Sequence, residues 1–226
     1  MSEELSITAS GSTMATWITV PDGGVTSTSV QIDYKTLNGN KPNAYGNQVA
    51  IFQSGPDLPW NVTPEQVQAN PNDDQDGSFN FEDLQVQMKS YLVAYAVGND
   101  AGTDDFPLAN VCATAFIPAG SDTSGNTQDF TPSVSIKAFG SDSVTVNYSM
   151  PPGQTPQTAG HYLAIWEGKA YAYDKAPMKV QPITSDQDTR SQPWNGLKLL
   201  RSTSYTVAYI AGSAQHDMAC AVTFTT

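Results

Sequence analysis

Ser29-Val-Gln-Ile-Asp-Tyr34 returns as Ser143-Val-Thr-Val-Asn-Tyr148, 114 residues further along the chain. The same displacement carries Gly46-Asn-Gln-Val-Ala-Ile-Phe52 onto Gly160-His-Tyr-Leu-Ala-Ile-Trp166, and Ser90-Tyr-Leu-Val-Ala-Tyr95 onto Ser204-Tyr-Thr-Val-Ala-Tyr209. A fourth block, Cys112-Ala-Thr-Ala-Phe116, recurs at a displacement of 108 as Cys220-Ala-Val-Thr-Phe224. Matched blocks at one offset define an internal duplication. Between the copies runs Pro118-Ala-Gly-Ser-Asp-Thr-Ser-Gly-Asn-Thr-Gln-Asp129, whose small polar residues bury no apolar surface and read as a flexible linker. The expected organisation is a domain over 1–118, a linker over 119–129 and a second domain over 130–226.

Within each copy the blocks alternate apolar and polar positions, or run as short β-branched and aromatic stretches bounded by Gly, Pro, Asn and Asp. Strands are expected near 29–34, 47–53, 78–84, 91–98 and 109–117, with counterparts in the second copy. About seven strands in about a hundred residues describe a two-sheet sandwich, so the fold class is all-β, two tandem sandwiches. One helical turn is expected from Thr63-Pro-Glu-Gln66 to about Ala69, with Thr63 as N-cap and Pro64 at the first helical position.

The second copy then resembles a fibronectin type III domain, within the wider immunoglobulin-like group. The likeness is carried by Ser143-Val-Thr-Val-Asn-Tyr-Ser-Met-Pro-Pro-Gly153, Tyr162-Leu-Ala-Ile-Trp166, Leu197, Ser204-Tyr-Thr-Val-Ala-Tyr209 and the closing Thr223-Phe-Thr-Thr226. Tyr34 and Tyr148 stand where that family usually has Trp. The resemblance implies a sandwich with tyrosine corners at Tyr91 and Tyr205, each hydroxyl bonded to nearby backbone; it implies fold and not activity.

Composition agrees. Charged residues make up 14% of the 226, against a typical quarter, while Gly (17) and Pro (15) are plentiful. Ten basic and 22 acidic side chains leave a net charge of −12, which repels phosphate backbones and anionic lipid and argues against a nucleic-acid partner. No apolar run nears the roughly 18 residues of a membrane span. The acidic start Met1-Ser-Glu-Glu4 is unlike a secretory signal. These features point to a soluble, cytoplasmic chain. Cys112 and Cys220 hold equivalent places late in each copy and are expected to be free and at least half buried, as in a reducing compartment.

Charge divides unevenly. Residues 1–118 hold Lys35, Lys41 and Lys89 against fourteen acids, for −11; residues 130–226 hold seven bases and six acids, for +1. The acids of the first copy cluster in two stretches. In Asn72-Asp-Asp-Gln-Asp-Gly-Ser-Phe-Asn-Phe-Glu-Asp83, oxygen-bearing residues Asn72, Asp74, Asp76, Asn80 and Asp83 fall at positions 1, 3, 5, 9 and 12, with Gly77 at 6. That spacing is the EF-hand calcium pattern, with Asn where the first Asp is customary and Asp where the closing Glu is. Two readings stand: a calcium site, or an acidic turn leading into a strand. The second stretch, Asn99-Asp-Ala-Gly-Thr-Asp-Asp105, contributes Asp100, Asp104 and Asp105. With the 35–46 loop, both would emerge at one end of the sandwich as a ligand platform, Tyr45 and Trp60 offering ring faces to a sugar. Tyr171, Tyr173, Trp194 and His216 mark the corresponding regions of the second copy.

Known catalytic spacings are lacking: no Gly-X-Ser-X-Gly, His-Glu-X-X-His, Cys-X-X-Cys or phosphate loop occurs, and His161 and His216 are the only imidazoles. The reading is a non-enzymatic binding or assembly protein that recognises a protein or glycan through loops or sheet edges and requires no cofactor. The alternative is a calcium-dependent lectin or toxin-like effector, released from the cell to act. A carboxylate-based hydrolase stands third.

Overall fold

A computed structural model describes residues 13–99, 106–120 and 126–226. Its first eight strands are β1 (Thr13–Ala15), β2 (Trp17–Thr19), β3 (Val30–Lys35), β4 (Gln48–Gln53), β5 (Gln66–Ala69), β6 (Asp76–Phe81), β7 (Tyr91–Ala96) and β8 (Val111–Ile117). There follow β9 (Gln128–Phe130), β10 (Ser133–Phe139), β11 (Ser143–Ser149), β12 (Tyr162–Glu167), β13 (Lys179–Pro182), β14 (Thr189–Asn195), β15 (Ser204–Ile210) and β16 (Met218–Thr225). The molecule is all-β. Each copy pairs a three-stranded sheet, β2-β3-β6 or β10-β11-β14, with a larger one built on β5-β4-β7-β8 or β13-β12-β15-β16.

The alternation in the sequence explains the faces. In β3, Val30, Ile32 and Tyr34 turn inward while Gln31 and Lys35 are exposed. β7 is buried on both faces. Tyr91, Val93 and Tyr95 enter the core between the sheets. Leu92, Ala94 and Ala96 form a second cluster on the outer face with Ala50, Phe52, Leu58 and Phe106. Trp166, the counterpart of Phe52, sits likewise on the outer face of the second sandwich. Tyr34 and Tyr148 both point inward and donate their hydroxyls to the carbonyls of Asp74 and Gln187. The tyrosine corners form at the expected residues, with the hydroxyl oxygens accepting: the Gln85 N–H reaches Tyr91 Oη at 3.0 Å, and the Leu200 N–H reaches Tyr205 Oη at 2.8 Å.

The two sandwiches exchange strands. β1, from the start of the chain, pairs antiparallel with β16 at its end, Met14 opposite Ala221. β9 pairs antiparallel with β8, Asp129 opposite Ala115. Each copy therefore lays its leading strand on the final strand of the other, and one buried core runs through both. Gln128 and Asp129, read above as linker, belong to β9 because the β8 edge offers backbone partners and Thr19 donates to the Asp129 carboxylate. The helical turn expected over 63–69 does not form. Gln66–Ala69 is the edge strand β5, paired with β4, and the amides of Gln66 and Gln68 both donate to carbonyls of the facing sheet, at Glu82 and Asn80. Alternation prevailed there over a helix-starting Thr-Pro. Cys112 and Cys220 are free and buried, and burial raises both thiols above their ordinary range.

Exchange is testable by crosslinking. Directly opposed antiparallel residues lie within the roughly 4.4–6.8 Å Cα range that a disulfide needs. Met14→Cys with Ala221→Cys is expected to oxidise to an intramolecular disulfide. Met14→Cys with Ala113→Cys, which pairs β1 with the final strand of its own copy, is expected to stay reduced by mass spectrometry.

Candidate functional site

Three connections meet at one end of the first sandwich. The Asn43 N–H donates to Asn72 O at 3.1 Å, Asn43 Nδ2 to Asn70 O at 2.7 Å, and the Ala44 N–H to Asp73 Oδ1 at 2.9 Å. Behind them, Nδ2 of Asn47 and of Asn70 each reaches Tyr95 Oη at 3.1 Å, and the Gly98 N–H donates to Asn47 Oδ1. The loops after β3, β5 and β7 are thus gathered at the end where the sequence placed them. Asp100, Asp104 and Asp105 lie outside the described residues.

The calcium spacing does not close around a point. Asp76 through Phe81 is strand β6, so Asp76 and Asn80 stand about 13 Å apart along an extended backbone, too far for one ion bound at about 2.3–2.6 Å. Asn72 Oδ1 instead accepts the Asp74 N–H, Asp76 lies opposite Lys35 in the sheet, and Asn80 Nδ2 donates to Glu82 Oε1. Asp83, exposed, has left-handed backbone (φ 58°) at the turn leaving β6. Among the described residues no group of three or more His, Cys, Asp or Glu is placed to hold a metal. The backbone of this stretch is a turn leading into strand β6.

The aromatic platform is occupied by the protein itself. Tyr45 stacks on His216 of the second copy, with centroids 4.6 Å apart, and on Tyr173 at 5.5 Å. Tyr171 donates its hydroxyl to Asn38 O. Reciprocally, Trp60 Nε1 donates to Gly153 O at 2.8 Å and the Leu58 N–H to Pro152 O at 2.9 Å. The loop after β3 in one copy meets the loop after β12 in the other, and the loop after β11 meets the loop after β4. Trp194, expected near a ligand region, is instead fully buried in the second sandwich, because it is an inward position of β14 opposite Val144.

Buried polar groups with no local pattern in the sequence join the copies. Gln154 Nε2 points at the carbonyls of Leu108, Ala109 and Val111, closest at 3.0 Å to Val111. His161 takes the place of Asn47. Its Nε2 lies 2.7 Å from Ala109 O, an acceptor only, so Nε2 carries the proton and Nδ1 accepts from Tyr209 Oη at 2.9 Å. Burial lowers His161 to about 4, against smaller opposing effects of the Ala109 carbonyl and Asp186. The ring is neutral at pH 7. Asp217, 2% exposed, accepts the Ala214 N–H at 2.8 Å, and its carboxylate lies so close to Gly98 that a Cβ there would sit 2.0 Å from Oδ1. The only signal for any of this was the replacement of Asn47 by His161 between otherwise matched blocks.

No protein-family model matches the chain, and no curated protein does. It is similar to a number of solved structures, two of them tandem-domain proteins. The FN1-FN3 domains of chicken CNTN1 share 22% identity over 84% of this chain and 56% of that one, at a TM-score of 0.27. The two tandem V-type regions of VCBP3, a v-region-containing chitin binding protein, share 10% over 92% of this chain and 98% of that one, at 0.29. The strand order itself carries the fold: each copy is a two-sheet antiparallel sandwich that resembles a fibronectin type III domain. Among the described residues no helix is long and apolar enough to cross a membrane.

Two outcomes follow. His161 binds a proton less readily folded than unfolded, so its contribution is intact above about pH 6.5 and is lost as pH falls toward 4, at a cost on the order of 3 kcal/mol. Melting temperature should fall over that window, and His161→Asn, borrowing the residue of the first copy, should flatten the fall. Calcium and chelator should leave the melting temperature unchanged, while Asp74→Asn with Asp76→Asn should raise it slightly by relieving like-charge repulsion.

Proposed function

We propose that the chain is a non-enzymatic binding or assembly protein that acts as one rigid unit of two sandwiches and recognises a protein partner. The observation that carries this reading is the reciprocal strand exchange: it spends the loop end and the leading strands on joining the copies, leaving sheet edges and the acidic face of the first copy for recognition. A protein partner is favoured over a glycan because the ring of Tyr45 is stacked between the copies and the indole N–H of Trp60 is taken by Gly153 O. The groups best suited to chemistry are likewise engaged or sealed, His161 on both ring nitrogens and both cysteines in the core. Free thiols fit a cytoplasmic place of work. The −11 charge of residues 1–118 favours a basic partner surface, which raises encounter rates and makes binding salt-sensitive.

The test is a crosslinking pull-down with the intact chain at about 50 and about 300 mM salt, spanning Debye lengths of about 14 to 6 Å, beside a glycan array. Protein partners retained at low salt and released at high salt are expected, with a blank array. A glycan bound in preference to any protein, or turnover of a glycoside, overturns the reading.

A further inference from the structure

The exchanged strands cap one edge of each larger sheet, which leaves β5 and β13 as the opposite edges, with no further strand paired to them among the described residues. An open edge presents unpaired backbone N–H and C=O groups to any extended chain, and proteins ordinarily block such edges with Lys or Pro. The two edges differ in this respect. β13 begins with Lys179, whose ammonium is folded onto the carbonyls of Asn195 and Gly196, and ends in Pro182, which has no N–H to offer. β5, Gln66-Val-Gln-Ala69, has neither a charge nor a proline. Its glutamines are turned to the facing sheet, and Val67 is 44% exposed.

Beside β5 lies a groove of about 510 Å³ lined by residues 60–67 with Phe106 and Leu108. Trp60 and Val62 are as exposed as Val67, so the groove offers apolar contact next to free backbone. Its one charged lining residue is Glu65. The Glu82 carbonyl accepts from Gln66 at the side of the facing sheet, and Lys89 pairs with Glu65 at 3.9 Å across partly exposed surface. A second copy of this chain would bring another domain of −11 against the same edge, and like charges oppose that pairing. An extended basic segment is instead drawn by the net negative charge of the first copy, with Lys89 the like charge it must pass at Glu65.

Resting on the reading of the chain as a protein-binding unit, we propose that β5 and the groove beside it receive an extended segment of a protein partner as an added strand, with alternating basic and apolar side chains. Backbone hydrogen bonds to β5 hold the segment, its apolar side chains enter the groove over Val62 and Val67, and its cations lie near Glu65 and Glu82.

The probe is a synthetic peptide of about seven alternating lysines and valines, titrated into the full chain and followed by calorimetry and by tryptophan emission, to which Trp60 contributes. Binding to the wild type is expected, weakened at least about tenfold by Val67→Lys, and by methylation of the peptide's alternate backbone nitrogens, which keeps its charge but removes the strand hydrogen bonds. Val180→Lys, at the equivalent place on β13, should leave binding unchanged and controls for added charge. Should Val67→Lys not fold, Val62→Lys and the methylated peptide carry the same test. Equal binding of methylated and unmethylated peptides means attraction by charge alone and overturns the proposal. So does a wild-type dimer in sedimentation that Val67→Lys abolishes, which would make the occupant a second copy. No binding by the wild type also overturns the edge site, while the pull-down separately decides whether the chain binds proteins at all.

Discussion

The crossing of the chain between the two sandwiches governs the rest of the structure. One residue, Thr16, separates β1 on the second copy from β2 in the first, and Thr131 and Pro132 separate β9 from β10 in the opposite sense. With about 3.8 Å between successive Cα atoms, crossings this short admit no gap between the sheets they join. Thr16 is wholly buried at the crossing, its N–H donating to Ala219 O at 2.9 Å. Two such crossings tolerate very few relative arrangements of the sandwiches. The same device removes two exposed edges that would otherwise invite mispairing.

Once the sandwiches are brought together, polar groups at their contact must be satisfied across it, since each buried group left unpaired costs about 1–3 kcal/mol. Gln154 and His161 of the second copy answer the carbonyls around Ala109, and Trp60 answers Gly153. These bonds are directional, so they select one relative placement where apolar contact alone would permit sliding. They also account for the divergence of the copies at matched positions. Asn47 bonds within its own sandwich, whereas His161, longer by a ring, reaches both Tyr209 in its own sandwich and Ala109 in the other.

Joining the copies uses the surfaces that a lone sandwich would present to a ligand. What remains is asymmetric: an acidic copy with an unguarded edge at β5, and a near-neutral copy whose edge is closed by Lys179 and Pro182.

The sequence by itself determined what depends on local pattern, the duplication and the β class, while the resemblance implies the corners at Tyr91 and Tyr205 and the 35–46 loop is expected beside the acidic stretch from Asn72. Alternation and repetition are properties of neighbouring residues, so they are legible without the fold. Where two local signals competed, as in Thr63-Pro-Glu-Gln66 or the calcium-like spacing of 72–83, only pairing with β4 and β3 decided, because a ladder imposes extension whatever the motif suggests. The exchange of β1 and β9, the stack of Tyr45 on His216 and the bonds of His161 were decided by tertiary structure alone. Each joins residues of different copies, and the physical reason they escaped the sequence is that a three-residue strand satisfies its hydrogen bonds equally well on either of two homologous edges.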